Sequence, residues 1–206
     1  MNLVVVADTS PVNYLLETGY IDILPGLYGH VIIPATVHRE LLSRGSSERL
    51  REWASALPGW VSIQSPLKSP ELTRGLHRGE MDAIALAEQL QAGLILMDDS
   101  AGVRYALRRG LSIAGTLAVL VEAAQNGRLQ IDEALSKLEK TDFRATPALY
   151  ERARQLANTI PPVLPRRLEK ERIEWAKSAL RPWRVLRVSG HERQLLDHSS
   201  LDFGRP

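Results

Sequence analysis

The chain has 206 residues, of which 44% are hydrophobic and 24% charged, enough material for one core plus an appendage. It contains no cysteine, which excludes disulfides and thiolate metal sites. No stretch approaches the ~18 apolar residues of a membrane span, and residues 3–7 are too short for a signal peptide, so we expect a cytoplasmic protein.

The net charge of +2 is unevenly distributed along the chain. Residues 161–206 hold ten Lys or Arg and six Asp or Glu, a net of +4, so the remainder carries a net of −2. A protein that binds nucleic acid through phosphate contacts alone usually has a basic body. If this body handles nucleic acid, local basic patches and metal ions must assist it.

Apolar runs alternate with helical patterns in the first three quarters of the chain. The first run, Leu3 to Ala7, is continuous and rich in β-branched residues, which predicts a strand buried on both faces. Ser10 then provides an N-cap and Pro11 a first helical residue. Further strands are predicted at 31–33, 61–63, 94–97 and 112–114, and helices at 10–18, 34–43, 46–56, 79–91, 101–109, 117–126, 131–139 and 147–157. This alternation predicts an α/β fold with a parallel sheet of four to five strands.

The pattern changes after Asn158. Prolines at 161, 162 and 165 interrupt any helix, and residues 166–180 have only a thin apolar stripe. We therefore predict a domain at residues 1–157 and a basic extension at 158–206 that is partly helical or disordered. A poorly packed extension is favoured over one in which Trp175 and Trp183 engage RNA or an inhibitory partner.

Acidic residues follow two of the predicted strands. Asp8 ends the first strand, and Asp98 and Asp99 end the strand at 94–97. Binding sites in open α/β sheets form outside the carboxyl ends of the strands. Each acid taken singly also fits a turn or cap, but acids from separate elements that aim at one edge favour a functional site.

Three further acids lie on predicted helices. Asp82 shares an arc of the helix at 79–91 with apolar residues, where a carboxylate is costly unless it is paired or bound to a metal. Glu80 lies roughly 160° away on that wheel, so we expect it to be more solvated or to cap the helix. Glu40 follows the second strand, and pairing with Arg44 on the surface competes with a role in a site.

Several carboxylates at one edge repel each other unless some are protonated or cations lie between them. Mg²⁺ and Mn²⁺ prefer such oxygen ligands. The five histidines lack HxxxH or HExxH spacing, which argues against zinc, and Walker A, GxGxxG and GxSxG motifs are also missing from the sequence.

The chain resembles the PIN-domain family of ribonucleases, in particular the VapC-like branch that begins with the motif DTSP. The resemblance covers roughly residues 1–157. The stretches that carry it are 4–11, 31–34 leading to Glu40, 79–87, 94–99 and 113–117.

The resemblance implies a three-layer α/β/α fold with an acidic pocket that binds Mg²⁺ or Mn²⁺ and cleaves RNA. The family's acids fall on Asp8, Glu40, Asp82 and either Asp98 or Asp99. The separation between the last two acids is a residue or two shorter than in many PIN domains. Residues of secondary importance are Glu80, which belongs to the closer branch, Ser10 and Thr116.

The expected reaction is phosphodiester hydrolysis assisted by one or two metal ions. Asp8 anchors the principal ion, Asp98 or Asp99 is a second ligand, and Asp82 and Glu40 hold coordinating waters or a second ion. The candidates to steer the phosphate backbone are Arg39, Arg44 and Arg104.

The resemblance also implies the toxin of a toxin–antitoxin pair, with an antitoxin partner and a homodimer. Two other classes compete with this hypothesis. One is a non-catalytic PIN-like module that binds RNA or a protein. The other is a phosphatase with an aspartyl nucleophile, which is disfavoured because Ser10 stands where that chemistry usually needs a second Asp.

Overall fold

The computed structural model describes residues 3–68, 70–71 and 73–159. The predicted extension, with Trp175 and Trp183, therefore lies outside the described residues apart from its first two positions. The strands are β1 Val5–Ala7, β2 Val31–Pro34, β3 Val61–Gln64, β4 Leu94–Leu96 and β5 Ile113–Ala114. The helices are α1 Thr9–Glu17, α2 Ile23–Tyr28, α3 Ala35–Leu41, α4 Glu48–Ser55, α5 Arg78–Gln89, α6 Ser100–Arg108, α7 Thr116–Gln125, α8 Ile131–Leu138 and α9 Pro147–Ala157.

The strands form one parallel sheet in the order β3-β2-β1-β4-β5. β1 is central, and the chain builds outward from it on one side through β2 and β3 and on the other through β4 and β5. The predicted parallel sheet is confirmed. Between β1 and β4 the order of strand connections therefore changes direction, although all the strands stay parallel. Open α/β sheets form their ligand crevice at such a point.

Both faces of the sheet are covered by helices, which confirms the three-layer α/β/α architecture. Val5 and Ala7 of β1 belong to a core that includes residues of α1, α7, α8 and α9. Val6 points the other way, into a core shared with α5, α6 and Ile95 of β4. This alternation is the period of two of an extended chain, and it explains why β1 is apolar at every position.

Two details differ from the sequence prediction. The helix α2 was not predicted, and its Pro25-Gly26 pair is more typical of a turn. α1 begins at Thr9, so its N-cap is Asp8, with extended backbone angles, and not Ser10 as predicted. Pro11 then falls in the first helical turn, where its missing N–H costs no hydrogen bond.

None of the helices in the described ranges is long and apolar enough to cross a membrane.

Candidate active site

Asp8 lies at the centre of the carboxyl edge of the sheet. Its backbone N–H donates to the carbonyl oxygen of Leu96 at 2.9 Å, which ties the end of β1 to the end of β4. Its side chain is buried, at 3% exposure. The pKa of Asp8 is raised to about 8, first by burial and then by the negative charges of Glu80, Glu40 and Asp98, while the backbone hydrogen bond from Thr9 opposes the rise. We refer to Asp8 and the three carboxylates whose charges act on it as the acidic pocket.

Asp98 is the second residue after the end of β4, directly after Met97, and is buried. Both of its carboxylate oxygens accept hydrogen bonds from Thr116, the first residue of α7. The Thr116 backbone N–H donates to Oδ1 at 2.9 Å, and its hydroxyl donates to Oδ2 at 2.6 Å. Thr116 was predicted only as a secondary residue, and it is fully buried against this acid.

Asp99 is the N-cap of α6. Its Oδ1 accepts from the backbone N–H of Ala101 at 2.7 Å and of Gly102 at 3.1 Å. Its charge is the principal electrostatic cause, after burial, of the raised pKa of Glu80. The two adjacent acids therefore act on different carboxyl groups, Asp98 on Asp8 and Asp99 on Glu80.

Glu40 reaches the pocket from α3. The Thr9 hydroxyl donates to Glu40 Oε2 at 2.5 Å. Both carboxylate oxygens lie 2.7 Å from the point where a Cβ on Gly79 would stand. No ion pair joins Glu40 to Arg44, both of which the structure describes, so the competing interpretation of Glu40 as a paired surface charge does not hold.

Glu80 was expected to be the more solvated acid of α5, and that expectation is wrong. It is only 6% exposed. Its Oε2 accepts from the backbone N–H of His77 at 3.2 Å, as the capping alternative predicted, and lies 3.5 Å from a Cβ placed on Gly102. A helical wheel of α5 cannot predict this burial, because the residues that cover Glu80 belong to the first turn of the neighbouring helix α6. Burial, Asp99 and Glu40 together raise the pKa of Glu80.

Asp82 is buried on α5, as its place among apolar residues predicted, at 3% exposure. Its Oδ1 has no hydrogen-bond partner within the part of the chain that the structure describes. A buried carboxylate oxygen left in this state is costly, and a cation or an ordered water would satisfy it.

The remaining predicted residues lie nearer the surface. Ser10 is half-buried in the first turn of α1, and the three arginines proposed to steer phosphates are exposed, namely Arg39, Arg44 and Arg104.

Two glycines that the sequence analysis did not single out make room for the acids. A Cβ on Gly115 would lie 2.8 Å from Asp98 Oδ1, and a Cβ on Gly79 would lie 2.7 Å from both carboxylate oxygens of Glu40. The available signal was the position of Gly79 and Gly115, each directly before a polar residue at the start of a helix. The glycines let the helix starts approach the carboxylates closely.

The donor set fits a hard divalent cation in its chemistry. It consists of oxygen ligands, neighbouring carboxylates raise the pKa of Asp8 and of Glu80, and Asp82 retains a buried oxygen without a partner among the described residues. Within residues 3–159, apart from positions 69 and 72, no group of three or more Asp, Glu or His side chains already stands in a metal-binding arrangement.

Comparison with known proteins gives one match. A family model described as PIN domain matches residues 4–159, which span all of the described strands and helices and every acid discussed above. No curated protein and no solved structure matches the chain.

Proposed function

Because this chain belongs to the PIN-domain family, whose fold is of the nuclease type, we propose that it is a metal-dependent endoribonuclease. The observation that carries the proposal is the buried carboxyl group of Asp8, whose pKa is raised by burial and by the charges of Glu80, Glu40 and Asp98. Buried carboxylates that repel each other are costly to keep unless they serve a cation or a proton. RNA is the substrate class that PIN-domain nucleases bind.

We assign the third acid of the family to Glu80 and not to Asp82, which revises the interpretation from sequence. Asp98 follows Glu80 by 18 residues and Asp82 by 16, so this choice removes the short separation. Glu80 also interacts electrostatically with Asp8, whereas Asp82 is supported by its burial and its unsatisfied oxygen.

The residues that would hold Mg²⁺ or Mn²⁺ are Asp8, Asp98, Asp99 and Glu80, with Glu40 and Asp82 as further ligands or holders of water. When bound, such an ion supplies a water of lowered pKa and offsets negative charge on the phosphate. Thr116 keeps the Asp98 carboxylate in one orientation, and the backbone at the start of α6 does the same for Asp99. Oriented ligands of this kind are the usual support of a metal site.

The test is incubation of the purified protein with mixed RNA in the presence of Mn²⁺ or of a chelator, followed by mapping of the cleaved ends. We expect endonucleolytic products with Mn²⁺ and none with the chelator. Cleavage that persists in the chelator contradicts the metal requirement. Mn²⁺ binding without any cleavage favours the non-catalytic binding module, and a trapped phosphoryl group on Asp8 favours the phosphatase.

The stability of the metal-free protein should fall as the pH rises from about 4 to about 8. Asp8 has a pKa of about 8 in the fold against 3.8 for an unperturbed aspartate, so between these pH values the folded state holds a proton that the unfolded chain has lost. Stability falls with pH wherever the native state binds more protons. We expect a loss of about a few kcal/mol across this range. Urea unfolding with a chelator at several pH values measures it.

Asp8→Asn is the control for this pH dependence, because the amide does not titrate and should give a much flatter profile. Mn²⁺ affinity should change in the opposite sense and rise up to about pH 8, since binding requires the proton to leave. Equal slopes in the wild type and the variant would show that other groups cause the trend.

A role as the toxin of a toxin–antitoxin pair in the cytoplasm, with an antitoxin and a homodimer, is the finer form of this proposal and stays a prediction. Light scattering on the same preparation measures the mass and shows whether the dimer forms. Growth arrest on expression, relieved in an Asp8→Asn variant, tests the toxin role.

A further inference from the structure

Thr9 lies between two of the acids of the pocket. It is the first residue of α1 and is half-buried. Its hydroxyl donates to Glu40 Oε2 at 2.5 Å, and its backbone N–H, directly after Asp8, lowers the pKa of that carboxyl group. One residue thus contacts an acid from the end of β1 and an acid from α3, which are 32 positions apart in the chain.

We propose that Thr9 is a positioning residue that holds Glu40 beside Asp8 so that both can serve one cation. The proposal rests on the proposed function, because it assigns Thr9 to the same pocket. It gives the hydroxyl of Thr9 a role that is separate from packing: donating a charge-assisted hydrogen bond to a carboxylate that its neighbours repel.

Glu40 needs such a partner for two reasons. Its side chain is long and flexible, and it comes from a short helix, so several rotamers would carry the carboxylate towards solvent. When Asp8 is ionised, its negative charge also favours that departure. In the described part of the chain, the Thr9 hydroxyl is the side-chain group that donates to the Glu40 carboxylate.

Gly79 provides the space on the opposite side. Since both Glu40 oxygens lie 2.7 Å from a Cβ placed there, the carboxylate occupies the volume that any other residue type would fill. Glu40 is therefore held between a donor on α1 and a gap on α5. Thr9 supplies the attraction, and Gly79 permits the approach.

The experiment is calorimetric titration of the full chain with Mn²⁺ as the probe. Thr9→Val keeps the branched shape and removes the hydroxyl, and we expect it to weaken Mn²⁺ binding by about tenfold, the size of effect seen when a supporting hydrogen bond to a metal ligand is lost. Thr9→Ser restores the hydroxyl without the methyl group and should bind Mn²⁺ like the wild type. Thr159→Val, which removes an exposed hydroxyl at the end of α9, is the matched control and should also bind normally.

A double-mutant cycle with Glu40→Gln distinguishes positioning from a general structural role. If Thr9 acts through Glu40, adding Thr9→Val to Glu40→Gln should weaken Mn²⁺ binding little further, so the two effects are not additive. Full additivity overturns the inference, as does wild-type affinity in Thr9→Val or failure of Thr9→Ser to restore it. If Thr9→Val fails to fold, as judged by circular dichroism, the cycle is run with Thr9→Ala, and the same outcomes decide.

The same titration separates this inference from the proposed function. A wild type that binds Mn²⁺ but cleaves no RNA defeats the ribonuclease proposal, while the Thr9 variants still decide the positioning role. A wild type that cleaves RNA while Thr9→Val binds Mn²⁺ normally defeats the inference. A wild type that does not bind Mn²⁺ defeats both.

Discussion

Replacing Asp8 with Asn is expected to reduce metal-dependent RNA cleavage on the order of a hundredfold or more, as when one preorganised electrostatic group is removed from an active site. The amide has the shape of the carboxylate and can still accept the hydrogen bond from Thr9, so the fold should persist. It lacks the charge that would anchor a cation at the centre of the pocket. It also removes the need to keep a proton on a buried carboxyl group, which the unfolded wild type has lost at neutral pH, so at that pH the metal-free variant should be more stable than the wild type.

Asp22→Asn is the matched control, because Asp22 is exposed at the start of α2, away from the carboxyl edge of the sheet. It should cleave RNA at the wild-type rate, with unchanged stability. The measurements are initial cleavage rates at fixed Mn²⁺ and RNA, and urea unfolding with a chelator. An Asp8→Asn variant that cleaves as fast as the Asp22→Asn control removes Asp8 from the active site.

The elements that position Asp8 and Asp98 were predictable because the signal is local. A continuous apolar run has few alternatives to a strand buried on both faces, and an acid directly after such a run must stand at the edge of the sheet. Parallel strands bring those edges together, and the hydrogen bond from Asp8 to Leu96 confirms that the ends of β1 and β4 are adjacent. The family match to residues 4–159 confirms the PIN-domain resemblance that these motifs carried.

The side chains that complete the pocket were harder to predict because they depend on contacts between helices distant in sequence. The burial of Glu80 comes from the first turn of α6, which packs against it at Gly102, and a helical wheel drawn on α5 contains no information about α6. The approach of Glu40 likewise depends on Gly79 and Thr9. Local pattern places an acid on an element, whereas tertiary packing decides whether it reaches the site.

The start of α1 shows a competition between two local signals. Ser10 followed by Pro11 is a good cap and first helical residue, yet Asp8 takes the cap. Because β1 ends at Ala7, a helix that begins at Thr9 keeps Asp8 at the edge of the sheet and places the Thr9 backbone N–H against its carboxylate. The start of α1 at Thr9 therefore determines where the Asp8 carboxylate lies.

The two acids of α5, Glu80 and Asp82, allow a second prediction with a large effect. It tests whether the third acid of the site is Glu80, as the structure favours, or Asp82, as the sequence indicated. Glu80→Gln should reduce cleavage by about a hundredfold at limiting Mn²⁺, because it removes a charge coupled to Asp8 and Asp99. Glutamine can still accept from the His77 N–H and cap the helix, so the fold should be retained. Asp82→Asn should reduce cleavage by less, within about tenfold, the lower end for a residue that supports metal ligands.

Asp82→Asn is well matched to Glu80→Gln, since both replace a buried acid by its amide within one turn of the same helix. Cleavage rates are measured across a Mn²⁺ titration, with thermal unfolding to exclude loss of the fold. A smaller effect at Glu80 than at Asp82 would return the third acid to Asp82, the position that the resemblance first indicated. The unsatisfied Oδ1 of Asp82 would then be explained as a ligand position, and the charge of Glu80 as a feature of the helix cap.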